Sequence, residues 1–128
     1  MTESTNYVHG QCHCGAVRFR IRQLASRQAI ECNCSICFAS GFLHVPVARD
    51  DFELLDGAGQ LTSYRFNKGI AQHTFCRVCG VKPFYRPRSH PDDYSVNLRC
   101  LDLDGIESFA IVPFDGRNWE DNIRSFPQ

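Results

Sequence analysis

Cys32-Asn33-Cys34-Ser35-Ile36-Cys37 places three cysteines within six residues, and the rest of the chain is arranged around it. Two further pairs flank it: Cys12-His13-Cys14 upstream and Cys76-Arg77-Val78-Cys79 downstream. Each flanking pair is followed at once by a glycine, Gly15 or Gly80. A backbone turning around a metal needs a positive φ or a close approach, and glycine supplies both. The two pairs therefore read as zinc knuckles. A structural zinc takes four ligands in a tetrahedron, often all thiolate, so Cys12, Cys14, Cys76 and Cys79 close one site. Such a site contributes on the order of 10 kcal/mol to folding. Cys32, Cys34 and Cys37 remain, with three ligands and an exchangeable fourth position, the pattern of a catalytic zinc. Three thiolates make that site soft and anionic, suited to an incoming thiol. A thiol bound there ionises near neutral pH and becomes a nucleophile, so addition of a thiol to a carbonyl follows. The competing reading is a second structural zinc completed by Cys100 or a histidine. Cys100 follows the apolar Val96 and Leu98 and reads as a buried core thiol. A three-ligand site binds its metal more weakly than a four-thiolate one, so incomplete occupancy is the expectation.

The chain has 128 residues and is 43% apolar, which suits one folded zinc-binding domain over 1–128 with a polar tail at 1–6. Its 14 basic and 14 acidic residues cancel, which argues against a dedicated nucleic-acid or anionic-membrane surface. Residues 1–6 lack a basic-then-apolar signal, and no apolar run reaches membrane-spanning length. The expected compartment is the cytoplasm, where disulfides are rare, so metal binding is favoured over disulfides as the reason for the eight cysteines.

Short strands with turn punctuation predict an all-β, strand-dominated fold with little helix. Val17, Phe19 and Ile21 alternate with Arg18 and Arg20 as a half-buried strand. Further strands are expected at 29–32, 42–47, 52–55, 81–85, 94–98 and 109–113. In the second of these, Pro46 hints at an edge or a bulge. Residues 60–76 read as a hairpin turning at Asn67-Lys68-Gly69 and delivering the second knuckle. Ser35 to Gly41 reads as a short helix, capped by Ser35 and ended by Gly41, with Cys37 in its first turn. His44 reads as a satisfied, partly buried histidine, His73 as exposed, His90 as a loop residue and His13 as pointing away from the metal. Arg77, Arg86 and Arg88 are available to attract the carboxylates of a peptide-like thiol, though each reads first as a solvated arginine. Trp119 reads as core.

Gly10-Gln11-Cys12-His13-Cys14-Gly15, Cys32-Asn33-Cys34-Ser35-Ile36-Cys37, Phe75-Cys76-Arg77-Val78-Cys79-Gly80 and Val96-Asn97-Leu98-Arg99-Cys100-Leu101-Asp102 together resemble the glutathione-dependent formaldehyde-activating enzyme family, which includes centromere protein V. The resemblance spans about residues 7 to 120. It implies a β-tent fold of several coiled antiparallel sheets. It implies a structural zinc on Cys12, Cys14, Cys76 and Cys79 and a catalytic zinc on Cys32, Cys34 and Cys37. It also implies carbon–sulfur lyase activity, the reversible joining of glutathione and formaldehyde to S-hydroxymethylglutathione. The expected partners are thus a small thiol and an aldehyde, with no nucleic acid and no membrane. The alternative is a non-catalytic two-zinc protein-interaction module on the same scaffold.

Overall fold

In a computed structural model of the protein, residues 7–22, 28–65, 69, 71–87, 90–102 and 109–118 are described. The expectations for the tail at 1–6, the connection at 23–27, Asn67 and Lys68, Arg88 and Trp119 fall outside them.

The strands are β1 (Tyr7–Gln11), β2 (Arg18–Arg22), β3 (Gln28–Cys32), β4 (Leu43–Val47), β5 (Phe52–Asp56), β6 (Leu61–Tyr64), β7 (His73–Cys76), β8 (Phe84–Tyr85), β9 (Tyr94–Asn97) and β10 (Ala110–Phe114). The α-helix among the described residues is α1 (Ser35–Ser40). The fold is strand-dominated, as expected, and divides into three small sheets ordered β1-β2-β5, β10-β3-β4-β9-β8 and β6-β7. Pairing is antiparallel except between β3 and β10, which run parallel with Gln28 opposite Ala110 and Cys32 opposite Phe114.

The alternation in β2 sets the core. Val17, Phe19 and Ile21 are fully buried, while Arg18 and Arg22 are exposed. Arg20 pairs with Glu53 on neighbouring β5 at 2.7 Å. Phe19 stacks on Phe52 of β5 at 5.6 Å and meets Phe84 of β8 edge-on at 5.4 Å. Phe52 in turn stacks on Tyr94 of β9 at 4.0 Å. These rings lock the three-stranded sheet onto the five-stranded one, each pair adding about 0.5–1.5 kcal/mol beyond its burial.

Local chemistry explains the departures from expectation. Ser35 does not cap α1: Cys34 holds the extended N-cap backbone, at φ −64° and ψ 163°, and makes no side-chain cap. Gly41 ends the helix in the left-handed conformation, as expected. Pro46 sits in a strand with neighbours on both sides. The β3 ladder stops at Ile30 opposite His44, however, so at Pro46 only β9 lies alongside. No donor is needed on the open side. The strand expected over 81–85 shortens to Phe84–Tyr85. Val81 spends its carbonyl on the Cys76 N–H of the knuckle, and Pro83 has no N–H to give a ladder. The hairpin over 60–76 forms as β6 and β7, with Leu61 opposite Cys76. No helix among the described residues is long and apolar enough to cross a membrane.

Candidate metal centres

The two knuckles are built alike. Cys12 N–H donates to Val17 O at 3.1 Å, and Cys76 N–H donates to Val81 O at 3.0 Å. Gly15 and Gly80 turn the chain at φ 81° and 79°. Backbone N–H groups also point at the sulfurs: Val17 N to Cys12 Sγ at 3.4 Å and Val78 N to Cys76 Sγ at 3.3 Å. The knuckles meet so that Cys12, Cys14, Cys76 and Cys79 place their Sγ atoms within 4.8 Å of one another. Cys14 Sγ lies 3.7 Å from both Cys12 Sγ and Cys76 Sγ. A tetrahedron with metal–sulfur bonds of about 2.3 Å has edges of about 3.8 Å. The four sulfurs thus already have the dimensions of a tetrahedral thiolate site.

Cys32, Cys34 and Cys37 form a second cluster, again with all sulfurs within 4.8 Å of one another. Cys32 ends β3, Cys34 is the N-cap of α1, and Cys37 is buried in its first turn. Hydrogen bonds from the Cys32 and Cys37 thiols, then the N–H groups of Cys37 and Ile36, hold Cys34 far below the ordinary thiol range. The two neighbouring thiols first, and the helix N-terminus second, thus favour one thiolate within the cluster. Cys37 is pushed up by its thiol neighbours Cys32 and Cys34 and by burial. Three soft donors grouped around one point fit a thiophilic cation such as zinc. Among the described residues, no fourth Cys, His, Asp or Glu joins this group. Cys100, one alternative fourth ligand, lies elsewhere. Burial, then the charges of Cys12 and Cys79, push it up to about 11, so it is a neighbour of the four-cysteine cluster.

The other alternative, a histidine, is closer but also separate. His44 Nε2 sits 3.1 Å from Cys37 Sγ, while Nδ1 meets Ser95 Oγ at 2.9 Å and Tyr85 Oη at 3.2 Å. It is satisfied, as expected, but buried more deeply than the partial burial expected, and it orients one thiol of the cluster. His73 corrects the expectation of exposure: it is buried at 4%. It stacks on Tyr85 at 4.7 Å and meets Lys82 Nζ at 2.7 Å. One face of a two-stranded ribbon is covered here by β8, which periodicity alone does not reveal. His13 is exposed.

The C-terminal side of β10 supplies what sequence reasoning missed. Asn33 Nδ2 donates to Asp115 Oδ1 at 3.1 Å, and Arg117 N–H donates to Asn33 Oδ1 at 3.0 Å. Arg117 Nε adds a bond to Asn33 O at 2.9 Å. This latch presses Gly116 onto the cluster so closely that a Cβ there would lie 2.2 Å from Cys32 Sγ. Arg117 is also the arginine beside the triplet, over exposed Phe38 at 5.9 Å. Arg77 instead binds Gln60, and Arg86 packs on Tyr94.

The fold and the clusters define a strand-dominated protein carrying one closed four-thiol cluster and one open three-thiol cluster. The chain belongs to the glutathione-dependent formaldehyde-activating enzyme family, whose model matches residues 7–111. It is also similar to a structural-genomics crystal structure of a Rhodobacter sphaeroides protein, at 32% identity and a TM-score of 0.75, over 83% of this chain and 99% of that one.

Proposed function

We propose that the protein is a zinc-dependent carbon–sulfur lyase that adds a small thiol to an aldehyde, or reverses that addition. Glutathione and formaldehyde are the leading pair, on the strength of the family description. In this reading Cys12, Cys14, Cys76 and Cys79 hold a structural zinc, and Cys32, Cys34 and Cys37 hold the catalytic one. The observation that carries it is the contrast between the clusters: four sulfurs close a tetrahedron, and three sulfurs leave a position free.

Zinc bound at the triplet would supply Lewis acidity that favours ionisation of an incoming thiol. The chain's own residues do the rest. The Cys32 and Cys37 thiols, and then the N–H groups at the start of α1, stabilise negative charge on Cys34. His44 fixes the direction of Cys37 Sγ. Gly116 packs against Cys32 so closely that any side chain there would collide with its sulfur. The addition itself forms a sulfur–carbon bond, opens the carbonyl π bond and moves one proton from sulfur to oxygen.

The test is a zinc count followed by NMR of S-hydroxymethylglutathione exchange with glutathione and formaldehyde. Between one and two zinc per chain as purified, rising to about two after zinc loading, and accelerated exchange are expected. Two tightly held zincs without acceleration of this or any related thiol–aldehyde pair would favour the interaction module instead.

A further inference from the structure

Lys82 follows the second knuckle and leads into β8, and its amine turns inward. Nζ lies 2.7 Å from His73 Nδ1, 4.0 Å from the centre of the Tyr85 ring and 5.0 Å from that of Phe42. Among the described residues no carboxylate forms a salt bridge with it. Burial draws Lys82 down to about 8, while the charges of Cys37 and Cys34 pull the other way. A continuous wall links it to the triplet: His73 stacks on Tyr85, Tyr85 Oη meets His44, and His44 meets Cys37. A half-buried cation is costly without an anionic partner. Three thiolates around one divalent zinc would leave a single negative charge, which the protonated form of Lys82 would offset.

We propose that Lys82, positioned by His73, is the proton-transfer group of the three-cysteine site: it accepts the proton of the incoming thiol and returns it to the carbonyl oxygen. This rests on the thiol–aldehyde reading above. The sulfur lone pair forms the new carbon bond, the π pair moves to oxygen, and the proton lost from sulfur ends on that oxygen. The amine is regenerated, and the reverse sequence serves cleavage. The other titratable groups facing Lys82 are less suited. His44 has both ring nitrogens engaged, and burial holds the Tyr85 phenol in its protonated form. His73 commits Nδ1 to Lys82 and acts as a positioning residue.

The experiment uses the zinc-loaded full chain. Lys68 and Lys82 are its two lysines, so 13C-lysine labelling yields two side-chain signals, assigned with Lys68→Arg. The Lys82 signal should titrate near 8 and move to higher pH when glutathione is added, because an anion then sits beside it. Lys82→Met should lower kcat for adduct exchange by about 100-fold or more, the usual range for a lost acid–base group, with KM little changed and zinc content retained. Lys82→Arg should be equally slow, since it keeps the charge but cannot release a proton. His73→Gln should shift the pH profile of kcat. A Lys82→Met or Lys82→Arg variant within about twofold of wild type overturns the assignment, as does a Lys82 titration that glutathione leaves unmoved. A wild-type protein without any exchange activity overturns the thiol–aldehyde reading, and this assignment with it.

Discussion

Gly116→Ala tests whether the C-terminal latch shapes the three-cysteine site. The added Cβ would stand 2.2 Å from Cys32 Sγ and 3.1 Å from Cys34 Cβ. Ordinary contact begins near 3.4 Å, so the sulfur must retreat by about 1.2 Å, the difference between 3.4 and 2.2. Metal–sulfur distances tolerate only about 0.2 Å. Cys32 Sγ is the end of a short side chain and can rotate away, so the fold should survive while the ligand is lost. An overpacking cost of about 1–3 kcal/mol falls on the liganded conformation alone, equivalent to about 5- to 150-fold weaker metal binding. Competition against a chromophoric chelator should show one zinc held as in wild type and a second weakened by that factor. The far-UV circular dichroism should be unchanged. Two zincs released with the wild-type competition curve would refute the reasoning.

Two further outcomes separate the roles of the clusters and of the buried histidine. Cys34→Ser should abolish adduct exchange with the fold largely intact, whereas Cys79→Ser should unfold the chain, as thermal denaturation will show; equal folding of both would disprove the division. His73 is held down to about 4, first by burial and then by the charge of Lys82. Its folded value lies below the unfolded one of about 6.5. The unfolded chain therefore binds the extra proton first, and stability falls as pH drops from about 6.5 towards 4. Denaturant titrations of His73→Gln across that window should show a shallower acid slope than wild type, and parallel slopes would count against it.

Much of the fold was legible in the residues themselves. The alternation of Val17, Phe19 and Ile21 marks a buried face, and the glycine after each knuckle marks the turn it makes. The cysteine triplet is local, so its grouping needs no tertiary knowledge. What escaped is what depends on which strands meet. Asn33, Asp115 and Gly116 reveal nothing until β10 lies beside β3. His73 and Lys82 come together only once β7 faces β8, and neither histidine nor lysine signals its burial by periodicity. Ser35 looked like a cap because serine often is one, but the extended backbone at Cys34 took that place.

The two clusters differ in how far apart along the chain their parts lie. Cys14 and Cys76 are separated by 62 positions, so that set of ligands exists only once the domain has come together. The triplet is complete within six residues. An unfolded chain can therefore already hold a metal there, and ligand bound to the unfolded state returns little to stability. The cover over it is contributed from far away, since Asn33 and Asp115 are 82 positions apart. An ion taken up at the triplet would thus be bound early and roofed last. Metal supply during synthesis would then matter most for the four-cysteine cluster, whose loading coincides with folding.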